Sequence, residues 1–206
     1  MTQSEKENTE EKILEAAKKI FVTKGNDGAR MQEIADEAGI NKSLLHYYFR
    51  SKDKLFDRVF SESFIPVVKT INLVFDSYQD IDSLIEGFVT SYIKMLRDNP
   101  FIPQFIIHEL NRNPKRIVEQ IQSSHLDHQQ IFEMVLRNID GNNLKPFNPV
   151  HIIVNIIALC VFPFVARPII QGYLFDDNDA DFDNFINERT QHIISFVKSA
   201  IFVNQS

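Results

Sequence analysis

Lys42, Ser43, His46, Tyr47 and Tyr48 bring an ammonium, a hydroxyl, an imidazole and two phenols into seven residues. Each of these groups can donate a hydrogen bond. Ammonium and hydroxyl donors suit phosphate oxygens, which fix register on a duplex without reading its sequence. His46 and Tyr47 can meet base edges, and Leu44 can touch a thymine methyl. Arg30, at the start of a preceding helix where backbone N–H groups point outward, is a further phosphate donor. For His46 and Tyr47 the competing reading is packing or a backbone contact, and for Lys52 and Lys54 it is plain surface charge.

These side chains share a face only if residues 31–49, MQEIADEAGINKSLLHYYF, fold as two short helices crossing at a steep angle. Such a crossing needs a small residue in the first helix, and Ala35 is in place. Gly39 follows the first helix's last turn, where a left-handed backbone is needed. Ile34, Ala38, Ile40, Leu45 and Tyr48 then fall at inward spacings, which turns Lys42, Ser43, Leu44, His46 and Tyr47 outward, in position to enter a major groove. An ordinary helical hairpin is the competing reading. The flanks weigh against it: Ile13, Leu14, Ala17, Ile20 and Phe21 form a helical stripe ending at Lys24-Gly25, and Ser51 reads as an N-cap with Asp53 in the next helix's first turn.

Together ILEAAKKIF followed by a glycine, EIADEAGINKSLLHYYF and SKDKLF resemble the amino-terminal domain of the tetracycline-repressor (TetR) family of bacterial transcriptional regulators, over roughly residues 9–60. The resemblance implies DNA contacts from Lys42, Ser43, Leu44, His46, Tyr47 and Tyr48, and a phosphate contact from Lys52. It also implies that the last two long helices form a four-helix dimer interface. This chain has Ala29-Arg30 where the family has threonine or serine, and Leu44 and His46 where it often has threonine and tyrosine. Those departures bear on operator sequence rather than on fold.

The net charge of −6 is unevenly spread. Residues 1–60 carry eleven basic and eleven acidic groups, so the whole excess lies beyond them. Within 42–54, Lys42, Arg50, Lys52 and Lys54 face Asp53 alone, a local basic footprint beside the candidate reading helix. An acidic body would keep the second domain off DNA. A single cysteine, Cys160, permits neither an intrachain disulfide framework nor a cysteine-based zinc site. The charged start has no signal-peptide pattern, and a cytoplasmic location is expected.

Beyond residue 54 the periodicity remains helical. We expect a long helix kinked or broken at Pro66, further helices over 80–98, 103–111 and 115–138, and two apolar segments, 150–173 and 182–203, joined by an acidic loop. The run 152–165 is too short and interrupted to span a membrane. Its all-round hydrophobicity suits burial on several sides, including a subunit interface. The chain therefore reads as all-α with about nine helices. A three-helix DNA-binding domain occupies 1–50, and a ligand-binding and dimerisation domain occupies 51–206, dimerising through segments 150–173 and 182–203.

Phe64, Phe88, Tyr92, Phe105, His108 and Phe132 are candidate lining for a small-molecule effector site, with core filling as the competing reading. His125, Asp127 and His128 invite a metal, but their spacing fits a solvated helix face better. No catalytic site, resident metal or cofactor is indicated, and no phosphate-cradling glycine loop is present. The sequence thus points to a non-enzymatic, effector-responsive regulator, most simply a repressor, binding a near-palindromic double-stranded operator as a homodimer. The alternative is an all-α small-molecule-binding protein or enzyme without DNA function.

Overall fold

The computed structural model describes residues 3–78, 80–123, 129, 132–133 and 144–203. Ten helices account for almost all of them: α1 (Gln3–Gly28), α2 (Met31–Glu37), α3 (Lys42–Tyr48), α4 (Lys52–Ser77), α5 (Ile81–Asp98), α6 (Ile102–Arg112), α7 (Pro114–Ser123), α8 (Pro149–Val165), α9 (Arg167–Leu174) and α10 (Asp179–Ile201). The only strand-like pairing among the described residues is an isolated bridge between Leu144 and Phe202. An all-α chain was expected, with one helix fewer. The extra one is α9, where the segment expected as one helix over 150–173 bends by 59°. Pro168 follows the bend, and α9 widens into a π-turn over Ile170–Leu174.

The chain forms two compact units, residues 1–65 with 104–120, and residues 66–103 with 121–206. The first thus extends past the expected boundary at 50/51 and takes in most of α6 and α7. Its core grows from the expected stripe: Ile13, Ala17 and Phe21 of α1, Ile34 and Ala35 of α2, Leu45 of α3 and Leu55 of α4 are shut off from solvent. Phe21 meets Phe56 edge-on, with ring centroids 5.0 Å apart, the arrangement favoured by ring quadrupoles. α4 continues unbroken through Pro66, which was expected to kink or end it.

In the second unit α5, α8 and α10 each pack on the other two. Their inward stripes are Leu84, Ile85, Val89, Tyr92 and Leu96; Ile156, Cys160 and Phe164; and Phe182, Ile186, Ile193 and Val197, most of them three or four residues from the next. Asp80 caps α5, accepting from the Ser83 N–H at 2.8 Å, and this backbone bond holds its carboxyl below the usual range. No single described helix is long and apolar enough to cross a membrane; α8 and α9 pass that test only as a bent pair.

Candidate nucleic-acid interface

The corner between α2 and α3 follows from two residues. Gly39 adopts φ +67°, and its N–H reaches the Asp36 carbonyl at 3.1 Å while the Ile40 N–H reaches that of Ala35 at 3.0 Å. This paired closure satisfies carbonyls that a helix end leaves open. Asn41 then starts α3, its side chain accepting from the Leu44 N–H at 2.8 Å. Sequence reading had passed over Asn41, although an asparagine just before a helical run is a cap signal.

Leu45 anchors α3, being wholly buried. The opposite face presents Lys42, Ser43, His46 and Tyr47 to solvent, with Tyr47 67% exposed, while Leu44 and Tyr48 are half-buried. An exposed phenol standing edge-on to its neighbour, Tyr47 to Tyr48 at 5.5 Å, is available for contacts beyond the chain. The Tyr48 hydroxyl donates to the Lys6 carbonyl at 3.4 Å, so that part of its capacity is used within the head.

Arg30 is exposed at the N-cap of α2, and its backbone N–H donates to Glu33 Oε2 at 3.4 Å. Lys52 is committed internally: its ammonium donates to the Ala29 carbonyl at 3.1 Å and the Asp27 carbonyl at 3.5 Å. Beside it, Asn26 donates to Asp53 at 3.1 Å. These bonds tie the first turn of α4 to the α1–α2 connection. Ser51 caps α4, accepting from the Lys54 N–H at 3.2 Å.

Charge pairing separates two groups of cations. Lys19 pairs with Glu37 and Lys24 with Glu33, each at 3.0 Å, and Glu33 is held below its usual pKa chiefly by its hydrogen bond from Lys24. Lys42, Arg50 and Lys54 are exposed and have no ion pair among the described residues. Free cations close in sequence to Tyr47 and His46 are what a polyanion can neutralise, each releasing a condensed counterion. Arg50 was counted in the basic footprint but not singled out as a contact.

The match to the family model described as "Bacterial regulatory proteins, tetR family" spans residues 13–59. Residues 13–59 of this chain are thus similar to the amino-terminal domain of the TetR family. It is 23% identical over 175 residues to a Bacillus subtilis protein named "Probable HTH-type transcriptional regulator YttP", covering 82% of this chain and 84% of that one. Over 50 residues, 24% of each protein, it is 42% identical to the HTH-type transcriptional repressor NicS of Pseudomonas putida. A TetR family regulator from Marinobacter aquaeolei VT8 shares the fold with a TM-score of 0.70 at 13% identity, covering 97% of this chain and 98% of that one. The matched residues include the whole α2–α3 pair.

The six aromatic and histidine candidates for an effector site are divided between the two units. Phe64, Phe105 and His108 belong to the first unit, whereas Phe88, Tyr92 and Phe132 belong to the second. Phe105 packs at 5.3 Å from Phe56 and 5.8 Å from Phe60, and Phe64 stacks on Phe60 at 6.0 Å. The His108 imidazole occupies the space above Gly25, where a β-carbon would come within 2.0 Å of Nε2. Gly25 is thereby required twice, by its φ of +65° and by this close approach. Phe88 and Tyr92 stack at 5.2 Å, and Tyr92 is buried. His125, Asp127 and His128 lie outside the described residues; among the described ones no group of three or more acidic, histidine or cysteine side chains can hold a metal.

Proposed function

We propose that this chain is a homodimeric transcriptional repressor that reads a near-palindromic operator through α3 and is switched by a small molecule held in its second unit. The observation that carries the reading is the outward face of α3, where Lys42, Ser43, His46 and Tyr47 stand exposed over a buried Leu45. Leu44, Tyr48, Arg30 and Lys52 complete the proposed contact set, with Arg50 added to it. Lys52 acts by positioning α4 against the α1–α2 connection as well as by its charge.

Dimerisation through segments 150–173 and 182–203 is supported by apolar side chains left in solvent on α8, α9 and α10. Val150, Val154 and Ile157 line one face of α8 at helical spacing, alongside its buried stripe of Ile156, Cys160 and Phe164. Phe162, Ile169, Tyr173 and Phe196 are more than half exposed. Such a surface suits a partner of the same kind, since a symmetric interface pairs one patch with itself. Two copies of α3 would then meet successive major grooves about 34 Å apart.

α4 and α6 each contribute residues to both units, so an effector bound in one has continuous helices through which to act on the other. Effector and operator would then weaken each other reciprocally. A non-enzymatic, cytoplasmic regulator with its effector-binding body over 51–206 fits the regulatory names of its relatives, NicS being named a repressor. The reading is tested by anisotropy titration of a selected operator with wild-type protein and with Tyr47→Ala. Specific binding that Tyr47→Ala weakens supports it, and equal affinity for selected and scrambled duplexes overturns it.

A further inference from the structure

The connection between α1 and α2, Gly25–Ala29, is gripped from two sides. Gly25 leaves helical geometry at φ 65°, ψ 176°, and Arg30, directly after Ala29, caps α2. From α4 the Lys52 ammonium donates to the Asp27 and Ala29 carbonyls, and Asp53 accepts from the buried Asn26. From α6 the His108 ring lies where a β-carbon on Gly25 would stand, and the Arg112 guanidinium pairs with Asp27 at 2.9 Å. His108 and Arg112 are four positions apart, so both serve one face of α6. Arg116 of α7 pairs with Asp57 of α4 at 3.1 Å and fastens this end of the α6–α7 pair to the head. All of these residues belong to the first unit.

A grip at this place acts on reading more than on attraction. α2 packs on both α1 and α3, so the α2–α3 pair follows the connection from which it starts. Seven residues make α2 about 10 Å long, and a tilt of about 10° at the connection swings its far end by about 2 Å. A hydrogen bond to a base edge is lost over a shift of that size. Phosphate contacts from lysines re-form, because they carry no sequence information and their stems are flexible.

We propose that His108 and Arg112 are positioning residues for operator reading: from α6 they fix the Gly25–Ala29 connection, and with it the angle at which α2 and α3 meet the duplex. This rests on the reading that α3 contacts the operator, and it adds two residues that touch no DNA. Arg112–Asp27 is a surface pair, so its share is small alone and grows with the His108 contact on the same connection.

The test is anisotropy titration of the full-length protein with the selected operator and with a scrambled duplex, at two salt concentrations. The proteins are wild type, Arg112→Gln, His108→Ala, their double variant, Arg112→Lys, Arg112→Asp, and Arg112→Asp combined with Asp27→Arg, each checked for folding by circular dichroism. Each of the first two changes is expected to lower operator affinity about threefold, and the double variant at least about tenfold. Affinity for scrambled duplex and the salt dependence should stay as in wild type, because no phosphate contact is removed. Arg112→Lys and the charge swap should recover most of the loss. An equal loss on both duplexes would show a merely structural role and overturn the proposal. So would a salt dependence lowered by about one counterion in Arg112→Gln, which would make Arg112 a phosphate contact, or a folded charge swap no better than Arg112→Asp. Should the double variant or the charge swap fail to fold, the single variants and Arg112→Lys decide.

Tyr47→Ala, titrated in parallel, separates the two claims. If it leaves operator affinity unchanged, the reading of α3 fails and the positioning role falls with it. If it weakens binding while Arg112→Gln and His108→Ala keep the full preference for operator over scrambled duplex, the reading of α3 stands and the positioning role alone is overturned.

Discussion

Replacing Arg116 by glutamine would expose how dearly the first unit holds one carboxylate. Glu109 of α6 is completely buried, and neither of its oxygens has a hydrogen-bond partner. Its charge is met by Arg116 of α7 at 3.3 Å, an ion-pair contact without hydrogen-bond geometry, and Arg116 also reaches Asp57 at 3.1 Å and lies over the Phe56 ring at 5.2 Å. Burial pushes the Glu109 carboxyl above its usual range, while Arg116 and Arg112 pull it down. Removing one member of a buried pair costs about 3–5 kcal/mol. Arg116 keeps roughly a quarter of its side chain in solvent, so we expect the lower end, about 3 kcal/mol at pH 7.5.

The pH dependence has a definite sign. A carboxyl whose folded pKa exceeds its unfolded one binds more protons when folded, so stability falls as pH rises through the interval between the two values. Arg116→Gln pushes the folded value further up and widens that interval. The variant's deficit should therefore shrink between pH 7.5 and pH 5.5, and Glu109→Gln combined with Arg116→Gln should recover most of it. Urea unfolding at fixed protomer concentration, followed by circular dichroism, measures wild type, Arg116→Gln, Glu109→Gln and the double variant. A deficit below 0.5 kcal/mol at pH 7.5, or one independent of pH, would refute the assignment of a buried, charge-compensated Glu109.

Tyr47→Ala should weaken operator binding by about ten- to a hundredfold and leave thermal stability unchanged, since the ring is 67% exposed; competition anisotropy alongside a melting curve reads both. Asn41→Ala should cost about 1 kcal/mol through loss of the α3 cap, with Asn41→Ser recovering it in urea titrations. Val154→Asp with Phe196→Asp, both at solvent-exposed apolar positions, should shift sedimentation velocity from dimer to monomer without loss of helicity. A dimer that persists in that variant would place the subunit contact elsewhere.

The head was legible because its signals are local. A glycine four residues after Ala35 and leucine at the inward position of α3 specify the corner and the buried seam within nineteen residues, and Ser51 capped α4 as its type implies. Asn41 is an equally local signal, an asparagine directly before a helical run, and it caps α3. What the sequence could not disclose is pairing across long separations. Nothing near Lys52 indicates that its ammonium is spent on the carbonyls of Asp27 and Ala29. Nothing near His108 indicates that it rests on Gly25, 83 positions upstream. Phe105 looked like Phe88 or Tyr92 in periodicity, yet it packs with Phe56 and Phe60 in the other unit, because helical spacing fixes which face is apolar and not which neighbour covers it.

The most direct test of the central claim is selection of bound fragments from a randomised duplex library by the full-length protein, with the winner titrated by anisotropy at two salt concentrations. We predict an inverted repeat with half-site centres about one helical turn apart, salt-dependent affinity, and at least about a thousandfold preference over scrambled duplex. Failure of a folded dimer to enrich any sequence, or enrichment of a single half-site bound by one protomer, would contradict the account.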